Sequence, residues 1–277
     1  MHLDTRNLRR VAGTAAATVT ALQAGTAVLA LRAGRRDYAD GVWGPGLAAV
    51  AVTSALVGNG DATRRWTLAA ATTAWAARLE HQMLGRLRGS DEEDDRYTEF
   101  LEGDSVPAVV GKVFVTQAVA QLLVSAPLQL AAASSLPSGR RRWLFPAGVA
   151  LMVAGASVEA IADRQKSRFM AEKERAKDRS EDGEAPEELQ VLDTGLWGWS
   201  RHPNYFGDSV VWDGAWLASA ASAPGAWTFP APVAMSYLLV FATGARRTEK
   251  KMEDRPGYRD YQRRVSFFLP RPPRSRR

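Results

Sequence analysis

Charge-free stretches dominate the pattern of this chain. Val11 to Leu31, Gly41 to Gly60, Val113 to Gly139, Trp143 to Val158 and Gly214 to Ala245 carry no charged side chain. A helix that crosses a bilayer needs roughly 20 mostly apolar residues, and several of these runs reach that length. A soluble helix shows a polar face every turn or so, which a run of this length lacks. The pattern therefore predicts an all-α, polytopic transmembrane bundle of about seven spans. They are placed near 11–31, 43–60, 66–84, 107–132, 143–163, 205–223 and 228–245. The third is interrupted by Arg78, Glu80 and His81. The last two come from one uncharged run, broken into two helices at Pro224, Pro230 and Pro232.

Composition changes that picture little. Mean hydropathy is -0.23 and 24% of residues are charged, values that an ordinary soluble protein could have. The apolar runs are rich in Ala, Gly and Thr, which lowers the average while letting helices pack closely in lipid. With seven spans the two termini lie on opposite sides. The segments on the side of the C-terminal tail then hold 26 Lys and Arg against 8 on the other. That asymmetry predicts a cytoplasmic tail. The first apolar run is too long for a signal-peptide core and lacks a clear cleavage site. A net charge of +6 sits mostly beside the spans, which points to anionic lipid headgroups and not to nucleic acid.

No cysteine is present, which excludes disulfides, thiolate metal sites and cysteine nucleophiles. His2, His81 and His202 are too few for most histidine metal sites. No glycine-rich dinucleotide fingerprint and no phosphate-binding loop occurs. The soluble-looking segments are an acidic one, Arg86 to Asp104, and a mixed-charge one, Lys166 to Glu188. The latter reads as a helix loosening around Gly183 and Pro186. The tail beyond Arg246 starts as a charged helix and ends in a Pro/Arg-rich stretch expected to be disordered.

The densest chemistry lies in Ser200-Arg201-His202-Pro203-Asn204-Tyr205-Phe206-Gly207. Pro203 suits a first helical turn, because its missing N–H costs nothing there. Arg201 and His202 then stand at a helix N-terminus, where free N–H groups and the dipole favour anions. Asp208 and Trp212 follow one turn apart. Upstream, Glu159 and Asp163 share a helix face, as do Arg164 and Arg168. Downstream, Glu249, Tyr258 and Tyr261 come with several arginines. The tyrosine pair suits either a nucleobase or the membrane interface.

Four stretches carry a resemblance. They are Glu159 to Phe169, Thr194-Gly195-Leu196-Trp197, Ser200 to Gly207, and Arg255 to Arg264. In that order they resemble an uncharacterised bacterial membrane family related to the C-terminal domain of steroid 5α-reductases. The Arg-His-Pro-x-Tyr-x-Gly core is also similar to that of isoprenylcysteine carboxyl methyltransferases. The resemblance implies divergent N-terminal spans over 1–106 and a reductase-like region over 107–277. It implies NADPH bound in a region that includes Asp163 and Arg168, with Asn204, Tyr205 and Asp208 further along the cleft. Arg201 and His202 depart from the steroid enzymes and match the methyltransferases at that turn; with Glu249, Tyr258 and Tyr261 they complete the candidate cofactor-binding set on the chemistry of the residues themselves. The similarity to methyltransferases implies S-adenosylmethionine instead. The expected activity is reduction of a lipid carbon–carbon double bond, with Tyr97 and Tyr205 as candidate catalytic phenols. A small hydrophobic lipid is the expected substrate, and membrane lipids are the expected partners.

Overall fold

The computed structural model describes residues 3–89, 92–180, 186, 189–242 and 244–274. The expected loose turn at Gly183 and the last three residues of the tail lie outside the described residues, as does His2. Among the described residues the chain is helical and has no β-strand. The helices are α1 (Thr5–Ala33), α2 (Trp43–Val57), α3 (Ala62–Arg88), α4 (Asp95–Phe100), α5 (Val106–Val109), α6 (Thr116–Val124) and α7 (Ala126–Ala132). Then come α8 (Leu144–Lys177), α9 (Pro203–Ser219), α10 (Ala223–Ala226), α11 (Pro230–Tyr237), α12 (Ala245–Met252) and α13 (Tyr258–Arg264). Wide π turns at Val110–Val115 and Leu238–Ala242 carry α5 into α6 and extend α11.

Among the described residues five segments are long and apolar enough to cross a membrane: Thr5–Ala33, Arg36–Val57, Val106–Val124, Arg140–Lys177 and Ala223–Met252. This is a multi-pass, membrane-type helical protein. The expected spans at 66–84 and 205–223 are present as α3 and α9 but fall outside that set. Charged residues interrupt α3. At about 1.5 Å per residue, α9 is roughly 26 Å long, short of the roughly 30 Å hydrocarbon core. The span expected over 143–163 is part of a much longer helix that continues to Lys177.

Local chemistry explains how such Thr-rich runs become helices. Thr18, Thr26, Thr53 and Ser157 each donate a hydroxyl to the carbonyl four residues back, at 2.7–2.9 Å. Each hydroxyl is thereby satisfied within its own helix, which lipid could not do. Asp4 caps α1 by accepting from the Asn7 backbone N–H at 2.9 Å. Gly34, at φ 65°, closes its other end in a left-handed conformation that glycine adopts without strain.

The chain divides into two units, Met1–Ala150 with Asp213–Ala234, and Leu151–Trp212 with Met235–Arg277. In the first, a buried amide relay ties three segments. Gln23 donates to Gln121 at 2.9 Å, and Gln121 donates to the carbonyls of Val42 and Trp43 at 2.9 and 3.0 Å. Arg64 is fully buried and donates to the Ala131 carbonyl and to Ser134, satisfying groups beyond the end of α7. In the second unit α8 and α9 meet backbone to backbone. A Cβ on Gly155 would lie 2.6 Å from the Gly207 carbonyl oxygen and 2.7 Å from the Val211 nitrogen.

That contact leaves no room for a methyl group. Gly155→Ala is expected to destabilise by about 1–3 kcal/mol. Gly13→Ala, where nothing lies within 4 Å, should be neutral or stabilise by about 0.5–1 kcal/mol through helix propensity. Thermal unfolding of the two variants in one detergent checks the contrast.

Candidate functional site in the second unit

The sequence motifs of the second unit assemble around two centres. The first is the α8–α9 contact. On α8, Glu159 and Asp163 are 4% and 9% exposed, and on α9 Asp208 is 5% exposed. Asn204 donates its amide N–H to Asp163 Oδ1 at 3.2 Å. Its own Oδ1 is buried and accepts no hydrogen bond. Three carboxylates and an amide thus share one helix pair, held close because Gly155 and Gly207 have no side chains. Just past Asp163, Arg164 and Arg168 face solvent. Tyr205 is half-buried beside Asn204, with Gly244 against its ring.

The second centre is Glu249 on α12. Its Oε1 accepts from Arg201 Nε at 2.9 Å, His202 Nε2 at 3.1 Å and Tyr258 Oη at 2.7 Å. Its Oε2 accepts from Arg201 Nη2 at 2.9 Å and Gln262 Nε2 at 2.8 Å. A carboxylate offers about four lone pairs, so this one is saturated. Arg201 is equally committed. Its Nη1 donates to the carbonyls of Gln262 and Val265 at 2.9 and 2.7 Å. The guanidinium expected to meet an anionic ligand therefore meets Glu249 and the end of α13, and lies 5.5 Å from the Phe267 ring centre.

The loop before α9 is stitched to both α8 and the tail. Leu196 N–H donates to Gln165 Oε1 at 3.0 Å, and the Trp197 indole donates to the Ala162 carbonyl at 3.0 Å. Gly195, at φ 60°, packs against the Gln165 amide, where a side chain would collide. Ser200 Oγ donates to the Phe268 carbonyl at 2.7 Å and accepts from His202 N–H at 3.1 Å. Arg201 N–H donates to the Ser266 carbonyl at 2.9 Å. Arg264 donates to Asp193 at 2.9 Å.

Burial and hydrogen bonding set the protonation of this centre. His202 stacks on Tyr205 with ring centres 5.8 Å apart and meets Phe267 edge-on. Burial pushes its imidazole below the ordinary 6.5 despite Glu249, and the Arg201 charge adds to that push. His202 is thus neutral near pH 7, donating through Nε2 to the carboxylate. The phenols of Tyr258 and Tyr261 are pushed up, Tyr258 by burial and its bond to Glu249, Tyr261 mainly by burial. Both rings are buried, 5.7 Å apart. The Tyr261 hydroxyl donates to the Trp197 carbonyl at 2.7 Å.

The structure brings Asp163, Asn204, Asp208 and Tyr205 together on one helix pair, and Arg201, His202, Glu249, Tyr258 and Tyr261 around one carboxylate. Arg168 stands in solvent on α8. Tyr97 belongs to the first unit, where it donates to Asp40 Oδ1 at 2.7 Å beside Arg96. Burial, reinforced by the Asp40 carboxylate, pushes that phenol up. Gln262 and Phe267 escaped the sequence reading. Gln262 had a signal, its four-residue spacing from Tyr258 on one helix face.

These features define the class of a polytopic helical membrane protein with a polar cluster in one helix pair. A family model described as "Protein of unknown function (DUF1295)" matches residues 27–265, and the chain belongs to that family. It is also 35% identical over 79 residues to an uncharacterised Schizosaccharomyces pombe protein, C594.04c. That match takes in 28% of this chain and 23% of the yeast protein. No solved structure matches.

Two outcomes follow from the Glu249 centre. Glu249→Ala strands the Arg201 charge and should cost about 3–5 kcal/mol, seen as a lowered unfolding temperature. Between the depressed folded-state value and 6.5, unfolded His202 binds a proton that the folded chain refuses. Stability is therefore present above pH 6.5 and falls as pH drops below it. His202→Gln should flatten that dependence in a pH series of thermal unfolding curves.

Proposed function

We propose that this protein is an integral membrane oxidoreductase that reduces a carbon–carbon double bond of a lipid with NADPH. The carrying observation is the cluster of Glu159, Asp163, Asn204 and Asp208 where α9 packs on α8, a helix long and apolar enough to cross a membrane. Ionisable groups there are costly and mark function more often than packing. The resemblance of the surrounding stretches to the C-terminal domain of steroid 5α-reductases supports this reading.

The residues fit a nucleotide cofactor. The buried Asn204 Oδ1 is an acceptor in need of a donor, and ribose hydroxyls or a carboxamide N–H supply one. Asp163 and Asp208 are hydroxyl acceptors of the kind that bind ribose. Arg164 and Arg168, exposed on α8, provide cations for phosphates. Arg201 and His202 act at one remove, holding the loop and the tail against each other through Glu249. NADPH would supply the hydride. Tyr205, braced against His202, is placed to hold a proton near the lipid's polar group, and Tyr97 keeps its own proton across the accessible pH range.

One observation favours a second reading. The buried faces of the pair carry Glu159, Asp163 and Asp208, while Arg164 and Arg168 face solvent and Arg201 is paired with Glu249. That balance suits a cationic cofactor, S-adenosylmethionine, and a methyl transfer to a membrane-bound acceptor. Purified protein in detergent separates the two. NADPH at a hundred times its dissociation constant should stabilise by about 2.7 kcal/mol, with no gain from S-adenosylmethionine. Asn204→Ala should abolish the gain and leave the unliganded unfolding temperature nearly unchanged. Stabilisation by S-adenosylmethionine alone would overturn the reductase, and no response to either at micromolar concentration would leave a lipid-binding protein without this chemistry.

A further inference from the structure

One end of the first unit gathers positive charge without matching negative charge. The Leu3–Ser134 bridge and the Asn59–Asp4 hydrogen bond bring together the start of α1, the α2–α3 turn and the segment after α7. Arg64 joins Ser134 to the start of α3, and Arg141 donates to the Ala220 carbonyl at the end of α9 at 2.9 Å. Every basic side chain here is an arginine: Arg6, Arg9 and Arg10 on α1, Arg64 and Arg65 on α3, and Arg140 to Arg142 before α8. The described acids of these segments are Asp4 and Asp61, and both are engaged in capping helices.

The arginines divide into two groups. Arg64, Arg65 and Arg141 donate to main-chain carbonyls beyond helix ends. Arg6, Arg9, Arg10, Arg140 and Arg142 face solvent. Beside Arg142 lies a shallow, open groove edged by Leu136, Pro137, Trp143, Phe145 and Pro146. The Arg142 guanidinium lies 5.3 Å from the Trp143 ring centre, which holds it at the rim of the groove.

We propose that this face binds an anionic phospholipid of the bilayer, with its phosphate on Arg140 and Arg142 and an acyl chain in the groove. The charge is complementary, and guanidinium offers phosphate two parallel donors that lysine lacks. An apolar groove opening directly beside that cation fits an amphiphile and leaves a soluble anion without use for the Leu136–Pro146 wall. Trp143 is 65% exposed at the start of an apolar span, the position of an interfacial anchor. The site lies wholly in the first unit and does not depend on which cofactor the second unit binds.

The test uses the full chain in nanodiscs of mixed phosphatidylglycerol and phosphatidylcholine, with retained lipids counted by native mass spectrometry. Phosphatidylglycerol should be retained in preference. The Arg140→Ala/Arg142→Ala pair should reduce that retention by about thirtyfold, at roughly one headgroup interaction per arginine. Circular dichroism should show unchanged helicity, since both side chains face solvent. Trp143→Ala should weaken retention with all the arginines still in place. Equal retention of the two lipids, undiminished retention by the arginine pair variant, or displacement of the lipid by inorganic phosphate alone would overturn the proposal.

Discussion

The second unit depends on one carboxylate. Glu249 accepts hydrogen bonds from Arg201, His202, Tyr258 and Gln262, side chains from the loop before α9, from α9's own entry and from α13. Half-buried charge is expensive to desolvate, and the expense is offset only when every lone pair finds a donor. Here each does, and Arg201 supplies the opposite charge. The interaction fixes the path of the chain after α12. It also engages both members of the basic motif at the start of α9, Arg201 through its guanidinium and His202 through Nε2.

A second constraint acts along the spans. Backbone groups in hydrocarbon must be satisfied within the helix, and polar side chains must find partners nearby. The hydroxyl-to-carbonyl bonds of Thr18, Thr26 and Thr53 meet the second demand locally, so Thr-rich helices remain compatible with lipid. Where a polar group cannot bond within its own turn, it reaches another segment. Gln23 and Gln121 form such a cross-link, and Arg64 caps the segment beyond α7. The first unit is thus specified by a few buried polar contacts set among small side chains, which by themselves would pack in several registers.

Much of the architecture was legible in the sequence because uncharged length is a property of composition alone. The runs at 11–31, 143–163 and 228–245 lie within candidate spans, and that at 43–60 overruns its span, which ends at Val57. The span count was less legible. Whether α3 or α9 crosses depends on where Arg64, Arg78 and Glu80 find partners, and on where Pro203 starts the helix relative to the bilayer. The site was legible as a set of residues and not as an arrangement. Glu159, Asp163, Asn204 and Asp208 could be placed by helical spacing. The turn of Arg201 toward Glu249, forty-eight positions away, could not, because no local pattern encodes a tertiary ion pair.

The approach of Gly155 to Gly207 has a consequence for the geometry of the acid cluster. Main-chain atoms touch there, one helical turn from Glu159 and Asn204. The spacing between the two acid-bearing faces is therefore set by peptide groups, which have no rotamers to exchange. Side chains can retune the charge of the cluster, but they cannot change its width. The pair of helices behaves as a fixed gauge, holding its acid-bearing faces at one separation whatever side chains surround them.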